Sequence, residues 1–227
     1  MSSAAAHRRP SLLPAAVLFD MDGLLIDTEP LWFAVEMEIL AEHGGSWDHT
    51  DHATLVGSSL PVSSKFIADR AGTGVTAAEI AEQLVGRMHH RLSEAPALRP
   101  GVLDLIDELD AAGVPRALVS SSSRTIIDAA LRGLAPVITF DTVVSGDEVT
   151  RNKPHPEPYL LAAHKLGVDP ADCVALEDSP SGAASASAAG CVVVAVPSVV
   201  AIEPGERRVV RASVAGVDLD FLRSLFA

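Results

Sequence analysis

The sequence is poor in cysteine and in basic side chains, and it lacks long apolar runs. Two cysteines, Cys173 and Cys191, stand in 227 residues, and each opens an apolar run, "CVALE" and "CVVVAV". That placement reads as two small core residues, which excludes a disulfide framework and suits a reducing cytoplasm. Lys and Arg total 17 against 30 Asp and Glu, a net charge of −13. A nucleic-acid partner is therefore not expected, because phosphate backbones are bound by basic surfaces. A phosphate-bearing ligand would have to be met by a metal or by a few local cations. The longest apolar stretch, around "AAGCVVVAV", stops at Pro197, well short of the roughly 18 residues of a membrane span. The basic and apolar start, "MSSAAAHRRPSLLPAAVLFD", has too short an apolar region for a signal peptide. Residues 1–12 read as a loose extension, and the expected location is cytoplasmic, with no membrane partner. There are no internal repeats.

Hydrophobic residues make up 48%, a globular composition, and the length allows a core plus a small appended domain. The recurring unit is a short apolar strand, a polar turn and a helix. "AAVLFD", "PRALVSSSS", "FDTVVSG", "CVALEDS" and "CVVVAV" read as strands, with "RTIIDAALRGL" and "PSGAASASAAG" as helices between them. Valine-rich runs without alternation fit a parallel sheet covered on both faces, hence a doubly wound (Rossmann-like) α/β core. One segment breaks the rhythm. From Glu29 to about Ala97 no strand is expected; Pro30 suits a first helical turn, and Leu31, Val35, Ile39 and Leu40 share a helical face that Gly44 and Gly45 end. Two more helices are expected near "PVSSKFIADRAG" and "TAAEIAEQLVGRMHHRLSEA". This all-helical insert reads as a lid over the end of the first strand.

Four polar clusters share one address, the C-terminal end of a strand or the turn after it: Asp20 with Asp22, Ser120 with Ser121, Lys153, and Glu177 with Asp178. Ligands of open α/β sheets bind outside those strand ends, so the clusters are expected to converge. Four carboxylates in one place repel each other unless a cation is supplied, and an all-oxygen set favours Mg²⁺ over zinc. Lys153 and the Ser120 hydroxyl would then face an anionic group. Carboxylates, Mg²⁺, one lysine and one hydroxyl are what phosphoryl transfer needs, and an aspartate can itself be the nucleophile.

"DMDG", "VSSSS", "KPHPEPY" and "LEDSPSG", in this order and spacing, resemble motifs one to four of the haloacid dehalogenase-like superfamily. The helical insert resembles that superfamily's C1-type cap, and within it the chain is similar to the β-phosphoglucomutase-like phosphatases, especially those acting on sugar and hexitol phosphates. The resemblance implies a core domain of residues 13–27 plus 99–227 and a cap of residues 28–98. It implies Asp20 as nucleophile and Mg²⁺ ligand, and Asp22 as general acid and base with its carbonyl on the metal. Ser120 would hold a phosphoryl oxygen, Lys153 would neutralise nucleophile and phosphoryl group, and Asp178 would ligate Mg²⁺, with Glu177 bound directly or through water. The expected function is a Mg²⁺-dependent phosphohydrolase of small phosphomonoesters such as sugar or polyol phosphates, acting through an aspartyl-phosphate.

Two alternatives stand beside it, a β-phosphoglucomutase-type mutase and a non-catalytic phosphate-binding homologue. The mutase uses a cap arginine after a Gly-x-Ser turn. Here the stretch is "LVGSSLP", with Leu60 in that position, and Trp32 replaces a histidine shortly after motif one. Hydrolysis is therefore favoured, with Arg70, Arg87 or Arg91 left as substitute anchors. Trp32, Gly57, Ser58, Ser59, Leu60 and Ser121 are the candidate substrate-facing residues, Trp32 being equally readable as helix packing. "WDHTDH" reads as a polar loop, the His89–His90 pair as unsuited to shared ligation, and "DLDFLRSLF" as a closing helix on the sheet. A monomer is the expected assembly, with a dimer as the alternative.

Overall fold

The structure is a computed structural model, and it describes residues 13–72, 74–94, 96–135 and 137–226; the expectation for residues 1–12 lies outside them. Strands β1 (Ala16–Phe19), β2 (Arg116–Val119), β3 (Thr142–Val144), β4 (Cys173–Glu177), β5 (Val192–Ala195) and β6 (Arg208–Val210) form one sheet in the order β3-β2-β1-β4-β5-β6. Every pairing is parallel, as in Val17 with Arg116 on one side and Val17 with Val174 on the other. Five strands lie where the sequence placed them. β6 was not foreseen, because "RVV" is too short and too charged to carry a strand pattern, and it forms only by extending the edge of β5.

Both faces of the sheet are buried, which accounts for the missing alternation. Val17, Phe19, Leu118, Val174, Leu176 and Val194 enter one cluster, with Leu105, Leu109, Ile126 and Ile127 from α5 (Val102–Ala112) and α6 (Arg124–Leu134). Ala16, Leu18, Ala117, Val119, Ala175 and Val193 enter the other, against α7 (Glu157–Leu166) and α8 (Pro180–Ala189). That second face is built of small residues, including Ala162, Ala163, Ala183 and Ala186, so these helices can approach the strands closely. Both cysteines are buried and unpaired, as expected, and burial pushes each thiol up to about 12. The last helix, α9 (Leu219–Ser224), packs on α5 and buries Leu222.

Among the described residues, four helices intervene between β1 and α5: α1 (Glu29–Glu42), α2 (His49–Ala53), α3 (Leu60–Arg70) and α4 (Ala77–Leu92). Among the described residues this stretch contains no strand. Its two ends are stitched together: Ile26 bridges Leu98, Asp27 N–H donates to Ala97 O (3.1 Å) and Arg99 N–H donates to Leu25 O (3.0 Å). α4 begins with a reciprocal capping box between Thr76 and Glu79 and buries Ile80, Leu84, Met88 and Leu92 on one face. Of the expected loop over Trp47–His52, Trp47 and Asp48 are irregular and His49–His52 instead start α2. Asp48 caps it by accepting from the backbone of Thr50 and Asp51, and His52 is buried. No helix among the described residues is long and apolar enough to cross a membrane.

Candidate active site

The sheet order reverses between β1 and β4, and a crevice opens at such a point beyond the strand ends. β1 ends at Phe19, and the next residue, Asp20, still donates its N–H to Leu176 O (3.0 Å). Its side chain therefore emerges beside the end of β4, where Glu177 and Asp178 lie. Lys153 reaches in from the turn before α7. Its Nζ donates to Asp20 Oδ1 (2.5 Å), Glu177 Oε1 (2.6 Å) and Val119 O (2.9 Å), with its side chain 2% exposed. Burial alone would lower the lysine's pKa; Asp20 and Glu177 reverse this and hold it above its ordinary range. Tyr159, fully buried, donates to the same Glu177 oxygen at 2.5 Å.

Asp20, Glu177 and Asp178 each place a carboxylate oxygen within 4.8 Å of the others. Burial pushes Asp20 up to about 8 despite the opposing pull of Lys153, and burial followed by repulsion from Asp20 and Glu177 raises Asp178 as well. Once all three carboxyls are ionised, one lysine leaves a deficit of two positive charges, the charge of one divalent cation. The close quarters are made possible by glycine. A Cβ at Gly182 would lie 1.9 Å from Glu177 Oε1, and one at Gly23 2.1 Å from Asp178 Oδ2. Hard, all-oxygen donors around a charge deficit fit Mg²⁺.

Asp22 sits apart from that cluster, gripped by neutral donors. Thr28 Oγ1 (2.8 Å) and Trp32 Nε1 (3.0 Å) donate to its Oδ1; Ser122 Oγ (3.0 Å) and Ser120 Oγ (3.3 Å) donate to its Oδ2. Trp32 carries both features foreseen for it: it packs against the core, and its indole lines the cavity and orients Asp22. Thr28 and Ser122 were missed. A run of four serines does not reveal which hydroxyls turn inward, although a threonine before the α1 start is a visible capping signal.

A cavity lies between the strand ends and the insert, a concave place of the kind in which small ligands bind. Asp20, Asp22, Ser120, Ser121 and Lys153 line it from the sheet side; Trp32, Gly57, Ser58 and Leu60 line it from the insert. Ser59 is not among the lining residues; it stands at the N-cap position of α3, with no side-chain capping bond. The Ser121 hydroxyl is committed to Asn152 Oδ1 (3.0 Å). Gly57, at φ +72°, lets the insert touch the α8 start: a Cβ there would lie 2.5 Å from Ser179 Oγ. Arg70, Arg87 and Arg91 lie outside the cavity lining, paired with Asp51, with Glu42 and Glu38, and with Glu38. Lys65, exposed, pairs with Asp69. Glu29 and Glu36, which the sequence did not single out as site residues, and His52, expected in a polar loop, line the cavity as a connected trio.

A family model for haloacid dehalogenase-like hydrolases matches residues 17–196, and the chain belongs to that family. It is 33% identical to hexitol phosphatase B of Escherichia coli O157:H7 over 214 residues, covering 93% of this chain and 94% of the relative. CbbY from Rhodobacter sphaeroides, solved in complex with phosphate, superposes with a TM-score of 0.79 at 31% identity, covering 90% of this chain and 96% of that one. β-Phosphoglucomutase from Clostridium difficile superposes with a TM-score of 0.81 at 21% identity, covering 94% and 97%, a likeness that concerns the fold. The chain is thus an enzyme of the phosphatase branch of this family.

Proposed function

We propose that the enzyme hydrolyses small phosphomonoesters, sugar or polyol phosphates, with Mg²⁺ and through an aspartyl-phosphate on Asp20. The observation that carries this reading is the contact of Lys153 with Asp20 at the reversal point of the sheet, with Asp22 lining the same cavity. Asp20 Oδ2 is the oxygen left for attack on phosphorus while Lys153 holds Oδ1. Asp22 gives a proton to the leaving oxygen, then takes one from the water that cleaves the acyl-phosphate. Ser120, at the end of β2, offers its hydroxyl to a phosphoryl oxygen once it is released from Asp22. Asp20, Asp178 and Glu177, with the Asp22 carbonyl, would hold Mg²⁺, which when bound supplies charge neutralisation on the phosphoryl group. Lys153 fills one side of Glu177, which favours an indirect role for that carboxylate. The insert, residues 28–98 as a cap over the core of 13–27 plus 99–227, excludes bulk water from the first step.

The hexitol phosphatase relative supports a polyol or sugar phosphate as substrate. A mutase needs a second phosphate anchor, and Lys153 is the one lysine or arginine among the described lining residues. The test is phosphate release from hexose, pentose and hexitol monophosphates with Mg²⁺ and again with EDTA, in the wild type and in Asp20→Asn. Mg²⁺-dependent release that Asp20→Asn abolishes is the expected result; an active Asp20→Asn enzyme overturns the mechanism.

A further inference from the structure

The insert presents one polar device to the cavity. His52 on α2 lies between two carboxylates of α1, with Nδ1 at 2.6 Å from Glu36 Oε2 and Nε2 at 2.9 Å from Glu29 Oε2. Both ring nitrogens are thereby occupied, and the edge of His52 meets the Phe33 ring at 5.5 Å. Glu36 is buried beneath the ring, whereas Glu29 is 12% exposed at the cavity wall, and its Oε1 has no hydrogen bond among the described residues. Burial opposes the charge on His52, but the two carboxylates more than reverse it and raise the imidazole to about 9. It is therefore an imidazolium at neutral pH, and it has no N–H left to offer a ligand. What the trio offers the cavity is a fixed anionic acceptor.

We propose that Glu29, clamped by His52 and Glu36, is a specificity-determining group: its free oxygen accepts a hydrogen bond from a hydroxyl of the leaving alcohol and disfavours alcohols bearing a second phosphate. The inference rests on the phosphomonoesterase reading above. A carboxylate acceptor rewards a hydroxyl donor and repels a phosphate dianion, and a clamped one does so without a conformational search. Leu55, Val56, Leu60 and Ile126, which share the lining, suit the C–H faces of a polyol. His52 and Glu36 act through Glu29 and are positioning residues.

The experiment compares wild type, Glu29→Gln and Glu36→Gln on a hexitol monophosphate, a hexose bisphosphate and p-nitrophenyl phosphate, whose leaving group has no further hydroxyl. Gln at 29 keeps an acceptor for His52, so the fold is expected to survive, checked by melting temperature. In Glu29→Gln, kcat/KM for the hexitol phosphate relative to the nitrophenyl ester falls about tenfold, chiefly through KM. The preference for monophosphate over bisphosphate narrows in the same variant. Glu36→Gln gives a smaller change in the same direction. If the nitrophenyl ester is hydrolysed but neither ratio moves in Glu29→Gln, the specificity role is wrong and the phosphatase reading stands. If wild type releases phosphate from none of the three, both are wrong.

Discussion

Replacing Lys153 by Met isolates the electrostatic design of the site. The side chain is almost fully buried, so Met retains most of its packing while removing three hydrogen bonds and the cation that sits among the carboxylates of Asp20 and Glu177. Removing one partner of a buried ion pair costs about 3–5 kcal/mol, because the remaining charge is left uncompensated. Here Asp20, Glu177 and Asp178 all remain, and Asp20 already rises to about 8 with Lys153 in place. Without the lysine it binds a proton more tightly still. A carboxyl raised in the folded state stabilises the fold at low pH, and that stabilisation is lost as pH rises through the folded value. Lys153→Met, measured in EDTA, is therefore less stable than wild type at pH 5 as well, through its lost hydrogen bonds, and falls further behind above pH 8. A loss of about 3 kcal/mol there corresponds to roughly 10 °C in melting temperature for a chain of this size. Mg²⁺ supplies the missing positive charge, so it raises the variant's melting temperature by more than it raises that of wild type. Thermal denaturation at pH 5 and pH 8.5, with EDTA and with excess Mg²⁺, reads all four conditions. A variant that melts with wild type at pH 8.5 in EDTA, or gains no more from Mg²⁺, refutes this reasoning.

Three further perturbations address other parts of the site. Trp32→Phe keeps the ring and removes one of the four donors on Asp22; kcat is expected to fall about tenfold with KM little changed, by steady-state kinetics on any accepted ester. Gly182→Ala drives a Cβ to 1.9 Å from the Glu177 carboxylate, and chemical denaturation should show a loss of about 3 kcal/mol together with weakened Mg²⁺ binding by calorimetry. His52, raised to about 9 from 6.5, contributes stability that is complete below pH 6.5 and lost as pH passes 9. Wild type should accordingly surrender about 3 kcal/mol relative to His52→Gln between those limits; parallel stability–pH curves would contradict the clamp.

The frame was legible in the chain alone: a parallel α/β sheet with a helical insert after its first strand, and four polar clusters at strand ends. These are local signals. Valine-rich runs, glycine stops, Pro30 inside a first turn and the spacing of "DMDG" or "LEDS" are set by neighbours a few residues apart, and strand-end topology then brings Asp20, Ser120, Lys153 and Glu177 to one crevice. Tertiary structure decided what long-range contact alone can decide. Ser122 and Ser120 turn to Asp22 across about a hundred residues of chain, while the adjacent Ser121 turns to Asn152; four identical side chains hold no local record of that choice. Trp32 and Glu36 are four apart on α1 and so share a face, yet their partners, Asp22 and His52, come from elsewhere in the chain. His52 read as a polar loop residue because its environment is supplied by α1, not by its neighbours. A carboxylate or imidazole enters a core only where a partner meets it, and that partner is fixed by the packing of helices whose relative placement no periodicity states.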